Sequence, residues 1–225
     1  MAPPPSFLIS PTPTPSCAQS SMREVEVKAV IDDFEMCRRA AVESGGRLVF
    51  EGRLEDRRYD TADEALTSRD EVLRTRTYRD SGDDTRTALE WKGPRSIEHG
   101  YRVREEQSTG VESLPTIELI LGRLGYHVTK AIDRYIVQFD LHGAMVRLER
   151  YPRMDDLVEV EGEPAMIERA IALLGMRRAD FTGDSLATFA QRYEERTGTT
   201  AALSDAELTH VPARVQADGD DASDG

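Results

Sequence analysis

Charged residues recur two positions apart in several short runs of this 225-residue chain. "REVEVK" carries Glu24, Glu26 and Lys28, "LRTR" carries Arg74 and Arg76, and "LEWK" carries Glu90 and Lys92. "YRVREE" adds Arg102, Arg104 and Glu106, "VRLE" adds Arg147 and Glu149, and "VEVE" adds Glu159 and Glu161. Arg134 begins one more such run. Residues two apart on a strand share a face, because successive side chains point to opposite sides. Brought together, the arginines and lysines would hold a polyanion. The carboxylates would hold hard divalent cations, which prefer oxygen ligands and are often shared with phosphates. A nucleotide or polyphosphate with Mg2+ or Mn2+ suits such a set. It numbers about eight cations and about seven carboxylates. With divalent metals added that balance is poor, so the arginines are expected to wait for substrate rather than to satisfy the carboxylates.

The alternation has a plainer reading, in which each charged face is the solvated side of a strand. The opposite faces carry Val25 and Val27, Leu89 and Trp91, Tyr101 and Val103, Val146 and Leu148, and Val158 and Val160. These apolar faces need cover, which amphipathic helices supply. Phe34, Cys37 and Ala41 share one helical face after a cap at Asp32 or Asp33. Leu114, Ile117, Leu121 and Leu124 mark a second helix, Ile167 to Leu174 a third, and Leu186, Phe189 and Tyr193 a fourth. Strands are expected near 23–30, 53–59, 72–79, 86–92, 101–107, 132–139, 144–150 and 157–162, with "SIEHG" as a turn. Most strands follow one another directly, so the sheet is expected to be antiparallel. Eight strands also suffice to close a small barrel with the charges inside. Periodicity leaves both placements open.

The formal net charge of -13 argues against nucleic-acid binding. No apolar run approaches the length of a membrane span. Two cysteines, Cys17 and Cys37, without a CxxC pair fit a reducing cytoplasm better than a disulfide framework. Residues 1–21 read as a disordered Pro/Ser-rich arm and 198–225 as a disordered acidic tail, leaving one domain over 22–197. None of the four histidines has a partner at metal-ligand spacing. Ser185 reads as a helix start, with no nucleophilic triad around it.

"EVEVK" matches the ExExK signature of the CYTH family, the class IV adenylyl cyclase and thiamine triphosphatase group of triphosphate tunnel enzymes. Further matches follow in order. "DRRYDT" at 56–61 resembles the family's second-strand motif, "LRTR" its LRxR, "LEWKGP" its LTxKGP and "VREE" its RxE strand. "RLE" followed by "VEVE" is similar in spacing to its acidic triplet, and "GDSL" to its C-terminal helix motif. The resemblance spans about 22–196. It implies an α+β fold: a closed eight-stranded antiparallel β-barrel, or tunnel, with helices packed outside.

The resemblance also implies roles. Lys28, Arg74, Arg76, Lys92, Arg104 and Arg134 would bind phosphate oxygens, with Arg102 and Arg147 counted in the same substrate-binding set. Glu24, Glu26, Glu149, Glu159 and Glu161 would bind Mg2+ or Mn2+, supported by Glu106. Lys28 would assist as a base if neighbouring cations depress its pKa, and Tyr59 would orient the nucleophile beside it. The sequence departs from the family pattern at Glu149, where Asp is usual, at Ile132, where Lys is usual, and at Glu90, where Thr is usual. The function expected is a metal-dependent triphosphatase. The alternatives are a class IV adenylyl cyclase and a non-catalytic polyphosphate-binding module. The expected partners are a triphosphate or nucleotide substrate and at most a second copy in a homodimer, with no nucleic acid and no membrane.

Overall fold

The computed structural model describes residues 22–82 and 84–209; the arm over 1–21 and the acidic end from 210 lie outside the described residues. The alternating runs are strands: β1 (Met22–Val30), β2 (Arg47–Asp60), β3 (Val72–Asp80), β4 (Thr85–Lys92), β5 (Ser96–Glu98), β6 (Tyr101–Val111), β7 (His127–Leu141), β8 (Ala144–Arg150) and β9 (Leu157–Glu161). Their order is β1-β9-β8-β7-β2-β3-β4-β6, and β6 returns to pair with β1. That last pairing closes an eight-stranded antiparallel barrel. β5, expected as a turn, instead pairs with Tyr101–Val103 of β6, next to where the β4 pairing stops.

Register carries the charged faces inward. Glu24 stands opposite Arg104, and Glu26 opposite Arg102, across β1 and β6. Lys28 stands opposite Glu159 across β1 and β9, Arg147 opposite Glu159 across β8 and β9, and Arg74 opposite Glu90 across β3 and β4. A slip of one residue would turn every one of these side chains outward, so the apolar outer face and the charged inner face fix the register together.

The outer face is covered by helices. α1 (Phe34–Glu43) is capped by Asp33, whose carboxylate accepts from the Met36 N–H, and α3 is Pro164–Leu173. Phe34, Cys37 and Ala41 of α1 and Ile167, Ala170 and Ile171 of α3 pack on Val27, Val146, Leu148, Val158 and Val160. α2 (Leu114–Arg123) buries only Leu121. Among the described residues, no helix is long and apolar enough to cross a membrane.

The interior is not charged throughout. Toward the end where β7 begins, Ile132, Tyr151 and Leu157 form a second apolar cluster with Phe189 and Leu203. Phe189 belongs to α4 (Leu186–Thr197), which starts at Ser185, whose hydroxyl accepts from the Thr188 N–H. Thus Ile132, unusual as an apolar residue in a charged row, anchors a plug. The chain past 197, expected as tail, continues this plug as far as it is described. Ala202, Leu203 and Ser204 are buried, Asp133 N donates to Leu203 O at 2.7 Å, and α5 (Asp205–Thr209) follows. The expected boundary at 197 is therefore corrected to at least 209. A single buried leucine in a polar stretch leaves no periodic trace.

Candidate functional site

The inward charges line a cavity of about 240 Å³. Lys28, Arg74, Arg76, Lys92, Arg102, Arg104, Arg134 and Arg147 all reach it, as do Glu24, Glu26, Glu149 and Glu159. Each strand contributes through alternation, so side chains far apart in sequence converge. Glu106 and Glu161 lie outside this lining. Glu106 is 3.3 Å from Lys92, and Glu161 stands opposite Glu26.

The cations are paired. Lys28 bonds Glu159 and, at 3.1 Å, Glu26. Lys92 bonds Glu24 at 2.5 Å, and Arg147 bonds Glu159 at 2.5 Å. Arg74 reaches Glu90 at 2.7 Å, and Arg134 reaches Glu149 at 2.9 Å. Arg102 lies 3.5 Å from Glu26. Arg104 is held differently: its guanidinium donates to the backbone carbonyls of Gly93 and Asp70, fixing the approach to the cavity. Glu90 thus serves as the partner of Arg74.

One carboxylate absent from the sequence-based set organises the centre. Asp56 of β2 is 1% exposed and accepts from three arginines: Arg76 at 2.9 Å, Arg134 at 3.2 Å and Arg74 at 3.4 Å. Burial alone would raise its pKa, but Arg76, Arg134 and Arg74 outweigh burial and hold it well below the usual carboxylate range. Burial likewise opposes the charges of Glu159 and Glu90. Lys28 and Arg147 hold Glu159 well below its ordinary value, and Arg74 and Arg76 hold Glu90 at about 2. The arginines therefore do not wait unpaired. That expectation omitted Asp56.

Two assignments change. Tyr59 stands opposite Leu73 of β3, on the outer face, where its hydroxyl lies 3.3 Å from Thr75 Oγ1. It does not line the cavity, because Asp56 and Arg58 are the inward residues of that segment. Lys28 is not primed as a base. Burial would lower its pKa, but Glu159 and Glu26 outweigh burial and hold it above the ordinary lysine range. The expected depression required cationic neighbours, and its bonded neighbours are carboxylates.

Among the described residues, no group of three or more His, Cys, Asp or Glu side chains is placed to hold a metal ion. The carboxylates nearest one another are taken up by lysines: Lys28 bridges Glu26 and Glu159, and Lys92 holds Glu24. Glu161 differs from them. Burial and the charge of Glu24 push its pKa up to about 7. Of the histidines, His142 bonds the Ser44 carbonyl in a turn, and His210 lies outside the described residues.

No family model matches the chain, and no curated protein matches it. Solved structures do. A candidate adenylate cyclase from Vibrio parahaemolyticus aligns at 18% identity and a TM-score of 0.64, covering 75% of this chain and 97% of that one. A Pyrococcus horikoshii protein aligns at 22% identity and 0.60, over 73% and 96%. A candidate adenylyl cyclase from Hippeastrum, described as revealing a dominant triphosphatase activity, aligns at 16% identity and 0.55, over 80% and 98%. At these identities the chain shares their fold.

Proposed function

We propose that this chain hydrolyses triphosphate-bearing substrates inside the barrel, with Mg2+ or Mn2+. The observation that supports it most is the cavity itself, where lysines and arginines from seven strands face one another, most bonded to a carboxylate that phosphate oxygen can replace. Phosphoryl transfer depends on positioning and charge neutralisation more than on covalent chemistry. Arginine offers a planar fork to two phosphate oxygens and lysine a point charge, so the mixture suits a phosphate chain.

Glu24, Glu26, Glu159 and Glu161 fit a hard cation by donor chemistry, being all oxygen. Lys28 and Lys92 hold Glu26, Glu159 and Glu24. A phosphate chain that draws these lysines to itself would free the carboxylates for metal. Substrate and metal would then bind together. The metal would neutralise phosphate charge and lower the pKa of the attacking water. Lys28 would remain a cation and bind phosphate.

Likeness to the Hippeastrum protein supports hydrolysis, and likeness to the Vibrio protein keeps cyclisation of ATP as a second reading. Purified chain incubated with tripolyphosphate, thiamine triphosphate or ATP, each with Mg2+ or Mn2+, separates them. Orthophosphate release is expected. Cyclic AMP with pyrophosphate would favour the cyclase, and no product from any substrate would overturn both.

A further inference from the structure

Two cations of the cavity stand outside the pairing described above. Arg58 and Lys130 are register partners across β2 and β7, and both line the cavity. Among the described residues neither has an ion-pair partner within 4.0 Å, and Arg58 Nε is buried with no hydrogen-bond acceptor. Asp56, the inward carboxylate of the same strand, is already shared by Arg74, Arg76 and Arg134. Burial and the charge of Arg74 bring Arg58 down to about 10, and burial and Arg58 lower Lys130. Two adjacent cations held this way have an unmet need for negative charge.

Other features of this end agree. Ser185, Leu186 and Ala187, the first residues of α4, line the same cavity, so the positive end of a helix dipole faces it. Among the described residues, no stacking platform for a base accompanies the cations. The aromatic residue among the lining side chains is Tyr151, whose hydroxyl donates to Glu149 at 2.7 Å and whose ring belongs to the apolar plug. An anionic group without a base attached is the ligand that fits.

We propose that Arg58 and Lys130 form a second anion site at the plugged end of the tunnel, which holds the unsubstituted terminal phosphate of an inorganic phosphate chain and so selects such chains over nucleoside triphosphates. The site rests on the triphosphate reading and names its substrate class. Arg58 supplies directed N–H donors, and Lys130 adds a charge from the neighbouring strand.

Calorimetric titration of the full chain in EDTA, which prevents metal-dependent turnover, tests it with inorganic tripolyphosphate and with ATP as probes. The parent is expected to bind tripolyphosphate more tightly than ATP. Arg58→Gln and Lys130→Gln should each weaken tripolyphosphate about tenfold or more, and ATP by less than about threefold. Lys130→Arg should retain the preference. The two Gln variants lie on different strands and each removes an unpaired cation, so if one fails to fold the other decides. A folded variant that binds tripolyphosphate as tightly as the parent, or that loses both probes equally, overturns the site and leaves the triphosphate reading standing. A parent that binds neither probe overturns both.

Discussion

Asp56 Oδ1 accepts from Arg76 Nε at 2.9 Å, across β2 and β3, in the middle of the barrel. The two residues are register partners, and Arg134 and Arg74 converge on the other oxygen of the same carboxylate. The cavity therefore has an internal counter-ion at the point where its arginines crowd. A carboxylate so placed has two effects. It stabilises the empty barrel, and it competes with any phosphate that enters.

Asp56→Asn separates these effects. Without the carboxylate, three buried arginines lose a shared partner, and the ligand-free protein should lose roughly 3–5 kcal/mol. Added tripolyphosphate should then raise the melting temperature of the variant more than that of the parent, because the anion replaces the missing charge. Thermal scans with and without tripolyphosphate measure both. A variant as stable as the parent, with an equal ligand shift, would remove Asp56 from the centre of the site.

Most of the fold is legible in the sequence because alternation reports strands directly. β1, β4, β6, β8 and β9 each carry charge on one face and apolar side chains on the other. Closure is not legible that way. An open sheet with a solvated face has the same period, and only the pairing of β1 with β6, some 80 positions away, makes the charged face interior. Asp56 and Arg58 were hidden for a local reason. In "RLEDRRYD" both faces are charged, since Glu55 and Arg57 are outward and ion-paired, so the alternation gives no phase. The same ambiguity allowed Tyr59 to be read as inward. β5 is too short, at three residues, to show a period.

The outward position of Tyr59 makes a direct test. Tyr59→Phe removes a hydroxyl 3.3 Å from Thr75 Oγ1 and touches nothing in the cavity. Turnover should stay within about twofold of the parent, and stability should fall by about 0.5–1.5 kcal/mol. Steady-state rates beside urea unfolding read the two. A loss of turnover beyond about tenfold would return this residue to the chemistry.

Glu161 predicts a pH dependence with a definite sign. Its folded pKa is pushed up to about 7, above the ordinary glutamate value of 4.5. Between those values the folded chain holds a proton that the unfolded chain has released, so stability from this group falls as pH rises through that window. In metal-free protein Glu161→Gln should match the parent near pH 4 and exceed it by about 3 kcal/mol at pH 8. Urea unfolding in EDTA across pH 4–8 measures the difference. Parallel curves for both proteins would mean that Glu161 does not carry this proton.

The plugged end gives the last test. Leu203 is 5% exposed and packs with Ile132, Tyr151, Leu157 and Phe189, while Asp133 N donates to its carbonyl. Leu203→Ala should cost about 2–4 kcal/mol through lost burial and a residual cavity. A chain ending at 198 loses Leu203 and the Arg153–Ala202 bridge together, and should melt lower still. A chain ending at 209 keeps every one of these contacts and should melt with the parent. The plug also borders the charged cavity through Ile132 and Tyr151, which line both. Opening it admits water beside Arg134 and Glu149, raises the local dielectric and weakens every charged contact to phosphate. The chain ending at 198 should accordingly bind tripolyphosphate more weakly than the chain ending at 209, even at a temperature where both are folded. Equal affinities would limit the plug to a structural role.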